Sequence, residues 1–388
     1  MKKSYRLAAT AMALALVAAA CGDDDDGGSS GAQEEIGEGE GAISILAWPY
    51  YAENGSKDPE IDWVSAFEDD TGCKATIKEF GTSDEAFTLF GSGDYDVVSA
   101  SGDSSLRSVA AGDAAEINTS LIENYADLAP FLKEKAWNSV DGTVYGIPHG
   151  WGANVLQFNT EEVTPAPDSW GAVFDPDSPY AGKIAAYNSP IYIADAALYL
   201  MATKPDLGIT NPYSLDETQF NAAVDLLKEQ NAIIGEYWSD YVQYEEHYTA
   251  GSTVMGTSWQ IIVNTLQGAD PAVPVDSVLP KEGSTAWSDN WMIHSDAKNP
   301  NCAYKWINYI TSPAVQGTVA TTFGEAPANL KACDDQADHC AAYFAEDEEY
   351  YNQLHYWTTP TKECLDGRTD VDCKDYAEWV AAWDEILG

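Results

Sequence analysis

The stretch TAWSDNWMIHSDAKNPNC (285–302) sets a carboxylate between two indoles. Residues 287–293 read as a strand, and on a strand positions two apart share a face. Trp287, Asp289 and Trp291 then fall on one side, Ser288 and Asn290 on the other. A half-buried strand with a solvated acid explains the pattern. So does a pocket for an organic cation. Methylene and ammonium groups both stack on indole faces, at ~0.5–2 kcal/mol per cation–π contact, and a desolvated ammonium needs a carboxylate partner. Trp291 is expected to be buried in the neighbouring core.

The elements that must position such a pocket alternate. AISILAW (42–48) reads as a strand, IDWVSAFEDDTG (61–72) as a helix ending at Gly72, CKATIKEF (73–80) as a strand, TSDEAFTLF (82–90) as a helix with Thr82 and Glu85 at capping-box spacing, and YDVVSASGD (95–103) as a strand running into a glycine turn. This order signals a parallel sheet, whose ligands sit beyond the carboxyl ends of the strands. Trp48, Pro49, Tyr50 and Tyr51 lie at the first such end, Ser101, Gly102 and Asp103 at the third. Asp103 either faces a ligand or caps the following helix.

DGTVYGIPHGWGANVLQFNTEEV (141–163) reads as a crossing between two lobes, with Trp151 lining the cleft or wedging the hinge. A second alternating block follows. It includes a helix over 214–231 with Ser214 and Glu217 as its capping box, and a strand turning into a helix over 252–268, where Trp259 faces the cleft. Helices are expected at 299–313, around 341–353 and over 375–387; no internal repeat is visible.

The N-terminus sets the compartment. Three basic residues in Met1–Arg6 precede an apolar run, Leu7–Ala20, and VAAAC meets Cys21. This is a secretory leader, too short and wrongly flanked for a membrane span. The cysteine at the cut resembles a bacterial lipobox, which implies lipidation of Cys21; the alternative is simple secretion with an unmodified thiol. Residues 22–41 are Gly, Ser and acid, a solvated tether of roughly 25 Å root-mean-square reach.

The chain from Ala42 onward holds nearly 350 residues, which favours two lobes over one core. Losing the leader's three basic residues takes the net charge from −44 to −47. That excludes nucleic-acid binding by phosphate contact, while acid-rich secreted proteomes give the same surface whatever the ligand. Beyond Cys21 six cysteines remain, an even number for an oxidising compartment. Fifteen connectivities are possible, and the favoured one pairs Cys333–Cys340 and Cys364–Cys373 locally and Cys73–Cys302 at long range.

None of the five histidines sits in HExxH spacing, and GxSxG and GxxxxGK[ST] are missing. No metal site or cofactor is expected, although DGRTDVDCKD (366–375) is oxygen-rich without the EF-hand order. An anionic solute would want an Arg clamp, and beyond the leader only Arg107 and Arg368 remain.

Four stretches together resemble a known family: ILAWPYY, YDVVSASGD, DGTVYGIPHGWGANVLQFN, and VLPKEGSTAWSDNWMIHSDAKNPNCAYKWINYITSP, with FGEAPAN trailing. The chain resembles the spermidine/putrescine-binding branch of ABC-importer solute-binding lipoproteins through most of residues 42–330. The Cys-rich tail, 333–388, matches that pattern poorly. The resemblance implies an α/β, two-lobed periplasmic-binding-protein-like fold of type II, each lobe a mainly parallel sheet flanked by helices. Lobe 1 would span 42–149 plus about 289–330, and lobe 2 would span 150–288 plus about 331–388.

The resemblance also implies a site in which a linear polyamine lies between aromatic rings, its amines fixed by carboxylates. By position Trp48 and Tyr51 fall on the family's first-lobe aromatics, Ser101 on its serine, and Trp287 and Asp289 on an aromatic and an amine-binding acid. Where the family has an acidic pair, this chain has Ser189 and Tyr192; where it has a tyrosine after the serine, this chain has Asp103. The implied protein is a monomeric, membrane-anchored receptor without catalysis that delivers a polyamine or similar small amine to an ABC permease. An amino acid, a betaine-like compound or a sugar on the same fold is the alternative, and a secreted hydrolase is the remaining one.

Overall fold

The computed structural model describes residues 32–388. The leader, Cys21 and tether residues 22–31 lie outside the described residues.

The first half builds β1 (Ala42–Ala47), α1 (Val64–Thr71), β2 (Lys74–Glu79), α2 (Ser83–Phe90), β3 (Val97–Ser101) and α3 (Gly102–Ala111). α1 buries Val64 and Phe67 and stops at Gly72, whose φ of 73° suits a residue without a Cβ. The Thr82 hydroxyl caps α2 by accepting the Glu85 N–H at 3.2 Å. β3 passes into α3 at Gly102 with no intervening turn. β2 and β3 both pair parallel with β1, so the three carboxyl ends point one way.

A short hairpin, β4 (Ser139–Val140) and β5 (Thr143–Val144), leads into β6 (Ile147–Asn159). The second half supplies α4 (Gly171–Phe174), β7 (Ile184–Tyr187), α5 (Ile193–Thr203), α6 (Glu217–Asn231), β8 (Ile234–Trp238), α7 (Tyr241–Thr249), β9 (Met255–Trp259) and α8 (Gln260–Gly268). The capping box of α6 differs from the expected Ser214–Glu217 pair. Asp216 is the cap, accepting from Thr218 and Gln219, while the Gln219 amide oxygen accepts the Asp216 N–H at 3.1 Å. Asp and Gln satisfy the same orphan donors two positions later.

β10 (Val275–Val278) and β11 (Ser284–Ile293) bring the chain back, followed by α9 (Pro300–Ile310), α10 (Pro313–Phe323), β12 (Ala326–Pro327), α11 (Ala337–Ala342), α12 (Glu348–Tyr351), β13 (Leu354–Tyr356) and α13 (Tyr376–Leu387). The strand order is β2-β1-β3-β11-β6-β9-β7-β8. Each end carries three mutually parallel strands, bordered by an antiparallel strand, β11 or β6. β6 pairs with β11 through residues 147–153 and with β9 through residues 154–158, so it joins the two parallel blocks. The register shifts at Asp289/Asn290, and His149 bulges out of the ladder there.

All three disulfides join the expected partners: Cys73–Cys302, Cys333–Cys340 and Cys364–Cys373. The tether departs from expectation beyond residue 32. The Glu40 carboxylate accepts the N–H groups of Asn301 and Cys302 at 2.9 Å each, and Asn301 Oδ1 accepts the Gly37 N–H at 2.7 Å. The first N–H groups of α9 have no partner within the helix and attract the acid. α13 lies against α6, with Trp379 5.9 Å from Phe220.

Candidate functional site

Trp48 leaves the end of β1. Its backbone N–H donates to Ser99 Oγ at 3.0 Å and its indole N–H to Ser101 Oγ at 3.2 Å, which fixes the ring over the end of β3. Ser101 faces Asp289 in the β3–β11 ladder, and its hydroxyl donates to Asp289 Oδ1 at 2.5 Å. The Tyr51 hydroxyl lies 2.8 Å from Asp289 Oδ2 and 2.7 Å from Glu325 Oε2. Asp289 is 3 % exposed. Burial pushes its carboxyl up to about 7, against the lowering effect of the Ser101 and Tyr51 hydrogen bonds.

Above Asp289 and Ser101 stand Trp48, Trp259, Trp287, Phe323 and Trp357, which close a cavity of about 10 Å³, room for about one water. No lysine or arginine lines it. The rings meet edge to face: Trp48 is 6.0 Å from Trp259, Trp287 is 5.8 Å from Phe323, and Trp259 is 6.5 Å from Trp357. Trp48 also lines an outer cleft of about 540 Å³ with Tyr50, Lys57, Phe80 and Tyr241. Among the described residues no group of three or more His, Cys, Asp or Glu side chains is placed to hold a metal ion.

The structure thus brings Trp48, Ser101, Trp259, Trp287 and Asp289 to one cavity, with Tyr51 directly behind Asp289. Trp291 is fully buried, 5.5 Å from Trp306. Three expected positions lie elsewhere. Trp151 is buried 5.7 Å from Tyr351 and 6.1 Å from Phe131 and does not line the cavity. Tyr192 sits in the core of the second half, its hydroxyl accepting from Gln230 Nε2 at 3.0 Å. Asp103 is fully buried in the first turn of α3, where burial raises it to about 6 and Arg107, one turn on, holds it back. It does not line the cavity that Ser101 reaches.

Three residues of this site have no individual signal in the sequence. Phe323 and Glu325 lie in the FGEAPAN segment, and Trp357 in the Cys-rich tail. β13 pairs parallel with β11, and the Trp357 N–H extends that ladder to the Ala286 carbonyl at 2.7 Å. Gly102 makes room for it: a Cβ there would fall 2.0 Å from the Trp357 carbonyl oxygen.

The sequence of residues 62–350 matches the bacterial extracellular solute-binding proteins. The chain belongs to that family. This solute-binding protein is 26 % identical over 275 residues to the spermidine/putrescine-binding periplasmic protein of Escherichia coli K12, covering 69 % of this chain and 74 % of that one. It is 23 % identical over 291 residues to a putrescine/cadaverine-binding protein of Pseudomonas aeruginosa, covering 70 % and 77 %. Its fold is shared with the spermidine/putrescine ABC transporter substrate-binding protein PotD of Streptococcus pneumoniae, with a TM-score of 0.66, 19 % identity, and coverage of 89 % of this chain and 97 % of that one. The solute-binding protein therefore has a two-lobed fold, and its aromatic cavity takes residues from β3, β9 and β11, from the segments after β1 and β13, and from the end of α10. None of its described helices is long and apolar enough to cross a membrane.

Proposed function

We propose that this protein is the receptor of an ABC importer for a polyamine or a similar small organic amine. The observation that carries the reading is Asp289, a buried carboxylate under four indoles and a phenyl ring with no basic side chain beside it. A buried acid in such a place is costly alone and becomes favourable when a cation meets it. The rings supply stacking surface for the ammonium and its methylenes. A sugar would use the rings and has no need of the acid; an anion would meet repulsion. The names of the E. coli and P. aeruginosa relatives point to the same class of solute.

In this reading the amine enters through the outer cleft when the lobes part, and the lobes then close about β6 and β11. The protein binds without catalysis as a monomer, is held at the outer face of the membrane through Cys21, and delivers its solute to a separate permease. A thermal-shift screen of putrescine, spermidine, other amines, amino acids, a betaine and maltose tests it. The expected result is stabilisation by amines. A shift with maltose alone, or with amino acids alone, overturns it.

A further inference from the structure

Tyr51 has one hydroxyl proton and two carboxylate neighbours. Its oxygen lies 2.8 Å from Asp289 Oδ2 and 2.7 Å from Glu325 Oε2. A phenol donates one hydrogen bond, so both contacts are attractive only if one carboxyl is itself protonated and donates to the phenol oxygen. The surroundings decide which. Asp289 already accepts at Oδ1 from Ser101, whose own oxygen accepts the Trp48 N–H. That arm points its proton at Asp289 and favours the ionised acid there.

Glu325 has no such support. Its side chain is fully buried, and its carboxyl lies so close to Gly150 that a Cβ on that residue would fall 2.2 Å away. His149 Nε2 stands 3.5 Å from Oε1 without a hydrogen bond. Burial drives that imidazole down to about 3, so it stays neutral. His339, from α11, meets only the Glu325 backbone carbonyl, at 2.7 Å. Tyr343, at the end of α11, and Asp289 are the other titratable groups that feel Glu325. Burial accordingly lifts Glu325 well above the usual carboxylate range.

We propose that Glu325 is a positioning residue of the amine site that works as a neutral carboxylic acid, donating to Tyr51 and so turning the Tyr51 hydroxyl onto Asp289. The inference rests on the amine reading, because Glu325 acts on the solute only through Asp289. One chain of donors then runs from Glu325 through Tyr51 to Asp289, and a second from Trp48 through Ser101 to the same acid. The cavity faces its solute with a single oriented anion, although two carboxyl groups lie within reach of one phenol.

The test compares wild type, Glu325→Gln and Glu325→Leu by calorimetry with putrescine from about pH 6 to about pH 9, alongside infrared spectra of the proteins without amine. Glu325→Gln keeps the shape and a donor, so its affinity should stay within about threefold of wild type with the same pH profile. Glu325→Leu removes the donor and should weaken binding about tenfold. At the upper pH, wild type should show the carbonyl stretch of a protonated carboxylic acid that Glu325→Gln lacks. A loss of more than about tenfold in Glu325→Gln, or a titration step that this variant loses, marks Glu325 as an anion and overturns the proposal. So does a spectrum without the acid band. If wild type binds no amine, the functional reading fails instead, and the infrared band still decides the state of Glu325. Should Glu325→Gln fail to fold, Tyr51→Phe replaces it: about tenfold weaker binding is expected, and unchanged binding overturns the proposal.

Discussion

Ser101 and Asp289 face each other across β3 and β11, and the serine hydroxyl lies 2.5 Å from the carboxylate. The bond ties the end of a parallel strand to the antiparallel strand that borders its block. It aims the acid into the ring of aromatics. Asp289→Asn keeps the shape and removes the charge. Amine affinity should fall by about 30-fold to 1,000-fold, the cost of leaving a buried charge without its partner. Calorimetry with putrescine reads this directly, and unchanged affinity would remove Asp289 from the site.

The same carboxyl sets a pH dependence. Its folded-state value of about 7 lies above the ordinary 3.8. A bound ammonium holds it ionised, so binding below about pH 7 must displace a proton. Affinity should drop by up to about tenfold per pH unit below that point and level off above it. A flat profile in wild type would contradict the assignment.

The stability of the protein without solute follows the opposite sign. An acid whose folded value is raised contributes stability that is present below its unfolded value and is lost as pH rises through the folded value. Asp289→Asn should therefore melt a few degrees above wild type at about pH 8 and lose that advantage at about pH 4. Thermal denaturation at both pH values checks this. A variant destabilised equally at both would mean that Asp289 is held by interactions Asn cannot copy.

Trp357 reaches the cavity from the tail and shares its wall with Trp259. Removing an indole from a closed aromatic wall costs both stacking and apolar contact. Trp357→Ala should weaken amine binding about tenfold or more, comparable with Trp287→Ala. Circular dichroism establishes that the tail remains folded. Wild-type affinity in a folded Trp357→Ala protein would place the solute elsewhere.

The three disulfides close loops of very different length. Cys73 and Cys302 are 229 residues apart, Cys333 and Cys340 only 7. On chain-entropy grounds the long bridge contributes about 5 kcal/mol and the short one about 2 kcal/mol. Replacing Cys73 and Cys302 by Ser should lower the melting temperature more than replacing Cys333 and Cys340. The reverse order would show that local strain, and not loop closure, governs these bridges.

The amino-acid sequence alone determined whatever depends on near neighbours along the chain. Strand ends at Trp48 and Ser101, the helix stop at Gly72 and the shared face of Trp287 and Asp289 follow from side-chain period and turn chemistry over a few residues. The family's long motifs extended this reach to the lobe plan. Tertiary structure decided which of several aromatics and acids meet. Trp151 and Tyr192 carried suitable chemistry and were turned into other cores: Trp151 because a buried strand offers two faces that hydrophobicity alone does not distinguish, and Tyr192 because the helical turn before α5 carries it to Gln230. Trp357 joined the site because β13 pairs with β11 at Leu354 and Ser284. Glu325 joined it because Gly150 leaves space for a carboxyl beside Tyr51. Both depend on contacts between segments far apart in sequence, which no local pattern encodes.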